Sequence, residues 1–307
     1  MKTNILITGV LGYIGTALCE LYKNSQDYKV TGIDNNFVHS TIKWLIDNNI
    51  YFYQKDLFSI RDLIERADII FHLASVTDAV PKTKEESNKE IDDLIYKTGV
   101  LGTREIIKYA RKDAKIILTS TQVLFEGLKE ETLDINENFE PCPILMYAKS
   151  KRQNEIDLYD SNHIFNIVRL ASVYGYNERS MRYKIVANFF AKMAALDQKI
   201  KVFGDGMNYK PLIGIKDVVR CLKFLAESNY NKEIYHLVNE NYRVNEIAQI
   251  CQKYNTNLII ENTLDKIPNL GYTLSNKKIL NTGFEFKQNL DEEIGKMIKI
   301  WSNKILI

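Results

Sequence analysis

Along the first half of the chain, short apolar runs alternate with longer stretches in which apolar positions recur every three or four residues. The runs at residues 4–8, 29–33, 50–54, 69–73, 115–119 and 164–169 are rich in Ile, Leu, Val and Phe. A candidate helix separates most neighbours. A strand that is apolar on both sides must be covered on both, which is the condition of a parallel sheet flanked by helices. The pattern predicts an α/β fold with a doubly wound parallel sheet, and such a sheet binds its ligand at the carboxyl ends of the strands. After Tyr174 the pattern loosens into helices and short strands, broken by the turn signal Gly204-Asp205-Gly206 and by Pro211. The expected division is a first domain over residues 1–174 and a smaller α/β lobe over 175–307, with some later segments returning to the first domain.

The first apolar run leads directly into Gly9-Val10-Leu11-Gly12-Tyr13-Ile14-Gly15 and then into a helical pattern. Glycines at this spacing permit a tight turn and a close backbone approach. The amides at the helix start, including those of Tyr13 and Ile14, can then meet a pyrophosphate at the positive end of the helix dipole. The second run ends in Gly32-Ile33-Asp34, at the offset where a carboxylate accepts hydrogen bonds from an adenine ribose. Asp34 and the adjoining Asn35 are the expected ribose-side contacts of a Rossmann-type site. No Arg follows to receive a 2′-phosphate, so NAD is predicted rather than NADP.

Tyr147 and Lys151 stand four apart at the head of an amphipathic pattern, which puts both side chains on one helix face. A phenol is a weak base at neutral pH, and a neighbouring ammonium favours its ionised form. Lys151 would thus make Tyr147 a usable general base. The fifth run ends in Thr119-Ser120-Thr121-Gln122, placing hydroxyls where parallel sheets bind ligands. Ser120 is expected to hydrogen-bond the reacting oxygen and share its proton with Tyr147, while Thr121 is open to a second reading as the cap of the next turn.

Composition narrows the field. The 41 basic and 39 acidic residues nearly cancel and form no basic block, which argues against nucleic acid as a partner. Cys19, Cys142, Cys221 and Cys251 are scattered, as are the four histidines, so no metal site is expected. The apolar run after Lys2 ends at once in glycines without a cleavage signal. No other stretch reaches the roughly 18 apolar residues that a membrane span requires, so a cytoplasmic protein is expected.

The glycine turn, Asp34, Asp56-Leu57, His72-Leu73-Ala74-Ser75, Ser120, Tyr147 with Lys151, and Arg169 followed by Val173-Tyr174-Gly175 occur in a set order. In that order the chain resembles the NAD-dependent epimerase/dehydratase family, the extended short-chain dehydrogenases that act on nucleotide sugars. Val202-Phe203-Gly204-Asp205-Gly206, Ile215-Lys216-Asp217-Val218 and the segment at Leu290 extend the resemblance through the second half. The resemblance implies that Asp56 and Leu57 sit beside the adenine, that Leu73, Ala74 and Ser75 line the nicotinamide side, and that Lys151 also holds the nicotinamide ribose. It implies Thr121, Ser172, Val202 and Lys210 as substrate contacts. It further implies a homodimer packed through the helix at 102–110 and the helix that begins at Tyr147.

Several positions depart from that pattern. Thr121 and Gln122 replace the carboxyls with which sugar 4,6-dehydratases eliminate water, so that reaction is not expected. Ser172 replaces an Asn and Lys210 an Arg at the diphosphate, and a Lys point charge does not reproduce an Arg fork. Gly99 replaces an Asn near the cofactor, and aromatics within residues 181–193, among them Tyr183, Phe189 and Phe190, are read as core packing ahead of sugar contacts. The expected function is oxidation of a nucleotide-diphosphate sugar at C4 by NAD, as a 4-epimerase or a keto-sugar-releasing dehydrogenase, with a non-catalytic NAD-binding redox sensor as the rival.

Overall fold

The computed structural model describes residues 2–77, 89–264 and 270–305. Seven strands form the central sheet, in the order Glu233–Leu237, Ile164–Leu170, Lys115–Thr121, Ile69–His72, Thr3–Thr8, Tyr28–Asp34, Ile50–Gln54. Asn4 pairs with Lys29, Ile5 with Ile69, Val30 with Ile50 and Ile69 with Lys115, all in parallel register. The chain first builds outward from Thr3–Thr8 to one edge and then crosses back to build the other half. The switch point therefore falls between Thr3–Thr8 and Ile69–His72, where doubly wound sheets open a crevice. The doubly wound sheet expected from the apolar runs is present.

All six predicted runs are strands. The seventh, Glu233–Leu237, escapes the pattern, because the sequence Glu-Ile-Tyr-His-Leu is short and its polar positions break the apolar run. Lys115–Thr121 is buried over its whole length, whereas the edge strand Ile50–Gln54 exposes most of its residues.

The chain divides into two compact units. The first comprises Met1–Leu124, Pro141–Arg169 and Val219–Tyr235; the second comprises Phe125–Glu140, Leu170–Val218 and His236–Ile307. In the first unit, Leu6, Ile33, Ile70, Ile116, Leu118 and Ile167 of the strands pack with Ile64, Ile106 and Leu158 of the helices. In the second, the helices Val186–Ala195, Val244–Tyr254 and Leu290–Ile305 bury Phe190, Ile247, Ile294 and Trp301 with Val202 and Leu212. Phe190 is thus core, whereas Phe189 and Tyr183 are exposed. Buried Asp217 accepts the amides of Lys287 and Gln288 while Gln288 accepts those of Lys216 and Asp217, which caps the helix Ile215–Glu227.

Among the described residues no helix is long and apolar enough to cross a membrane, and no group of three or more His, Cys, Asp or Glu is placed to hold a metal ion.

Candidate active site

The strand Thr3–Thr8 leaves the sheet through Gly9, whose φ of +72° lies in the left-handed region. A β-carbon there would stand 2.9 Å from the backbone of Ala74, and one at Gly15 would stand 2.4 Å from the Gly9 carbonyl oxygen. The turn is therefore packed against itself and against the segment that follows Ile69–His72. Gly12 is the N-cap of the helix Tyr13–Tyr22, which has no side-chain cap and no acidic residue in its first turn. First-turn amides lack intrahelical acceptors and carry the positive end of the dipole. Tyr13 and Gly15 are buried in that turn and Ile14 is half-buried.

Asp34 ends the next strand, nearly buried. One of its oxygens accepts the Leu11 amide at 3.1 Å, and the other accepts the backbone amide and side chain of Asn36 at 3.0 and 3.1 Å. A carboxylate has about four lone-pair sites, so acceptor capacity remains for a ribose. Asn35 is exposed, and its carbonyl accepts Gln54. Asp56 is exposed and caps the short turn Leu57–Ser59 through the Phe58 amide, while Leu57 is buried beneath Gly102.

A buried relay fixes the segment after Ile69–His72. Thr8 Oγ1 accepts the amides of Leu73 and Ala74, both at 3.1 Å, and lies 2.8 Å from His72 Nδ1. His72 Nε2 lies 2.9 Å from Thr103 Oγ1, which donates its hydrogen to the Gly99 carbonyl. Thr103 must then accept from Nε2–H, so Nδ1 accepts from Thr8 and the ring is neutral. Burial, helped by the charge of Lys151, lowers the His72 pKa to about 3, in keeping with that tautomer. Ser75, two residues after Leu73, has a buried hydroxyl with no hydrogen-bond partner among the described residues. The tight glycine cradle, the capacity left on Asp34 and the Ser75 hydroxyl fit a bound dinucleotide.

The residues expected to transfer the proton gather around the helix Met146–Tyr159 and the strand Lys115–Thr121. Tyr147 is half-buried in the first turn; Lys151, one turn on, is only 2% exposed and donates from Nζ to the Thr119 carbonyl at 2.8 Å. Burial lowers the Lys151 pKa to about 8, with the carboxylate of Glu155 opposing the shift. Glu155 is the next residue on that stripe. It accepts Ser120 Oγ at 2.6 Å and both Nε and Nη2 of Arg169 at 2.9 Å, with Arg152 at 3.3 Å. The Ser120 hydrogen thus lies toward Glu155, whereas the sequence suggests that it is shared with Tyr147. Thr121 Oγ1 accepts the Val123 amide, which is the capping role.

Sequence reasoning misses Glu155 as a site residue, along with the Thr8–His72–Thr103 relay. The spacing of Tyr147, Lys151 and Glu155 at four-residue intervals is the available signal for Glu155.

The second unit carries the other expected residues. Ser172 is half-buried in the strand Ser172–Tyr174, opposite Leu212. Val202 is closed in the core at 0% exposure, leaving only its backbone to meet a ligand. Lys210 has its pKa lowered by burial, opposed by Glu126, whose own pKa burial raises.

The Lys151 shift is directly measurable. Its ordinary pKa of 10.5 falls to about 8 on folding, so between those values the unfolded chain holds the extra proton. Burying the ammonium costs stability below pH 8, and that cost is relieved as the pH rises from 8 through 10.5. NMR titration of labelled lysines should show one resonance with a midpoint near 8 that Lys151→Met removes. A chain whose lysines all titrate near 10.5 contradicts this electrostatic account.

Known proteins resemble this chain throughout. It is 26% identical over 311 residues to UDP-N-acetyl-alpha-D-glucosaminuronate decarboxylase of Bacillus cytotoxicus, covering 97% of this chain and 91% of that one. It is 28% identical over 236 residues to UDP-glucuronate 4-epimerase of Thermodesulfobacterium geofontis, covering 70% and 69%. In fold it matches the crystal structure of UDP-glucuronic acid 4-epimerase from Bacillus cereus in complex with UDP-glucuronic acid and NAD. That match has a TM-score of 0.83 at 20% identity, over 99% and 100% of the two chains. The model of the NAD dependent epimerase/dehydratase family matches residues 5–239, and this chain, with its glycine cradle, Asp34 and Tyr147-Lys151 pair, belongs to that family.

Proposed function

We propose that this protein binds NAD and a nucleotide-diphosphate sugar and oxidises the sugar at C4, most simply as a 4-epimerase. The observation that carries the reading is Lys151: a buried ammonium one helical turn from Tyr147, at the end of the strand that presents Ser120.

Tyr147 takes the proton of the C4 hydroxyl, and the positive charge of Lys151 stabilises the phenolate that does so. Ser120 orients the same hydroxyl. NAD, when bound, supplies the hydride acceptor; Gly9, Gly12, Tyr13, Ile14 and Gly15 would hold its pyrophosphate, Asp34, Asn35, Asp56 and Leu57 its adenosine, and Leu73, Ala74, Ser75 and Lys151 its nicotinamide half. Thr121, Ser172, Lys210 and the backbone at Val202 would hold the substrate, with Lys210 as the charge for the diphosphate. The second unit is thus assigned mainly to the substrate.

Thr121 and Gln122 offer no carboxyl for eliminating water, so a 4,6-dehydratase does not follow. Epimerisation at C4 and loss of a C6 carboxylate both become available once C4 is a ketone, since the acid is then β-keto. The similarity to a glucosaminuronate decarboxylase over nearly the whole chain keeps that second outcome in view when the sugar is a uronate. The intact Tyr147-Lys151 pair argues against a sensor without turnover.

The protein is also proposed to be cytoplasmic and homodimeric. Leu94 and Leu101, and Ile156 and Tyr159 on the helix Met146–Tyr159, are large apolar side chains left exposed in the first unit. A second copy would cover them.

Two tests follow. Mixing the protein with UDP-, GDP- and dTDP-sugars should give from one of them a product of unchanged mass, and Tyr147→Phe should lower turnover at least about 100-fold while NAD stays bound. A product two hydrogens lighter, or lighter by carbon dioxide, selects the other fates of the ketone; full activity of Tyr147→Phe contradicts the mechanism. Light scattering should give twice the chain mass, and Ile156→Glu should halve it; a wild-type monomer contradicts the dimer.

A further inference from the structure

Ser120 has one hydrogen to donate and two lone pairs with which to accept. Its neighbour Glu155 is a carboxylate held by Arg169 through two hydrogen bonds of 2.9 Å, with Arg152 adding a third. An ionised carboxylate only accepts, so at 2.6 Å the Ser120 hydrogen is committed to it. Arg169 is a planar fork and is itself buried, which fixes the orientation of the carboxylate as well as its charge.

We propose that Glu155 is a positioning residue: by claiming the Ser120 hydrogen it turns the Ser120 lone pairs toward the reacting sugar and Tyr147. Ser120 then serves as acceptor only, taking a hydrogen bond from whichever of the sugar hydroxyl and the Tyr147 phenol holds the proton. The transfer stays balanced, with one hydrogen passing from the sugar oxygen to the Tyr147 oxygen and none leaving Ser120. This role rests on the reading of the preceding subsection.

A plain structural part for Glu155, tying the helix Met146–Tyr159 to the strand Ile164–Leu170, accounts for the bonds to Arg169. It gives no reason for the fourth acceptor bond to fall on Ser120. A buried ion pair is also weak evidence of stabilisation, because an apolar replacement is often no worse. Glu155 further stands one turn from Lys151, where its charge opposes the effect of burial on that ammonium.

Glu155→Gln separates the two roles. It keeps the volume and one bond to Arg169, but it brings an NH2 group that can donate to Ser120 and reverse that hydroxyl. Two double-mutant cycles are needed, both on the NAD-bound protein, using Glu155→Gln, Ser120→Ala and the pair. In denaturant unfolding, the two losses of midpoint should be non-additive, which tests the contact whatever the protein catalyses. In turnover, Glu155→Gln should lower kcat about 10- to 100-fold with KM nearly unchanged, yet change it less than about threefold once Ser120 is Ala.

Additive unfolding overturns the contact, and additive kcat effects overturn the role even if the contact stands. Glu155→Asp, which keeps the charge but withdraws it by one methylene, serves the same cycles if the Gln variant does not fold, with a smaller loss of kcat expected. A wild-type protein that turns over no sugar of the panel sinks the reading of the reaction and this role with it, while a coupled unfolding cycle would still stand.

Discussion

Gly9 turns out of the first strand with space for no β-carbon, because the backbone of Ala74 stands against it from across the sheet's switch point. That close approach organises this corner of the first unit. It sets the glycine turn at the start of an uncapped helix and holds Asp34 against the Leu11 amide. It also lays the Leu73-Ala74 backbone on the hydroxyl of Thr8. A parallel sheet makes the approach possible, since adjacent strands end side by side with their chains free to turn outward. The neutral His72 then ties the same corner to the helix that carries Thr103.

Charge is arranged around a single helix face. Tyr147, Lys151 and Glu155 follow one another at four-residue spacing, so one stripe carries a phenol, a buried ammonium and a buried carboxylate. The arrangement is costly in water-free surroundings, which is why the Lys151 pKa falls, and it persists because each charge has a partner: the Thr119 carbonyl for Lys151, Arg169 for Glu155. An ammonium that stays charged near neutrality beside a phenol is what base catalysis by tyrosine requires.

Much of this is legible in the sequence. Apolar runs mark six strands, glycine spacing marks the turn and Asp34 its partner, because these depend on local periodicity and on backbone space. The seventh strand is hidden, since five residues with polar interruptions carry no period. The pairing of Glu155 with Arg169 is hidden in another way: it joins a helix to a strand, and an ion pair between two elements leaves no mark in local spacing. Thr8 reads as an ordinary strand residue, and its role emerges only with the amides of Leu73 and Ala74 on its oxygen. Val202 shows the converse case, a position suggested by resemblance whose side chain is wholly taken by the core.

The central claim is that the C4–H bond of the sugar is broken as a hydride and that its hydrogen stays within the site. It is tested most directly with a nucleotide sugar carrying deuterium at C4, incubated with the protein in ordinary water and recovered for NMR and mass analysis. The account predicts that the epimerised product keeps its deuterium at C4. Deuterium lost from C4 to the water, or a product inverted at C3 or C5 with C4 and its deuterium untouched, would contradict it.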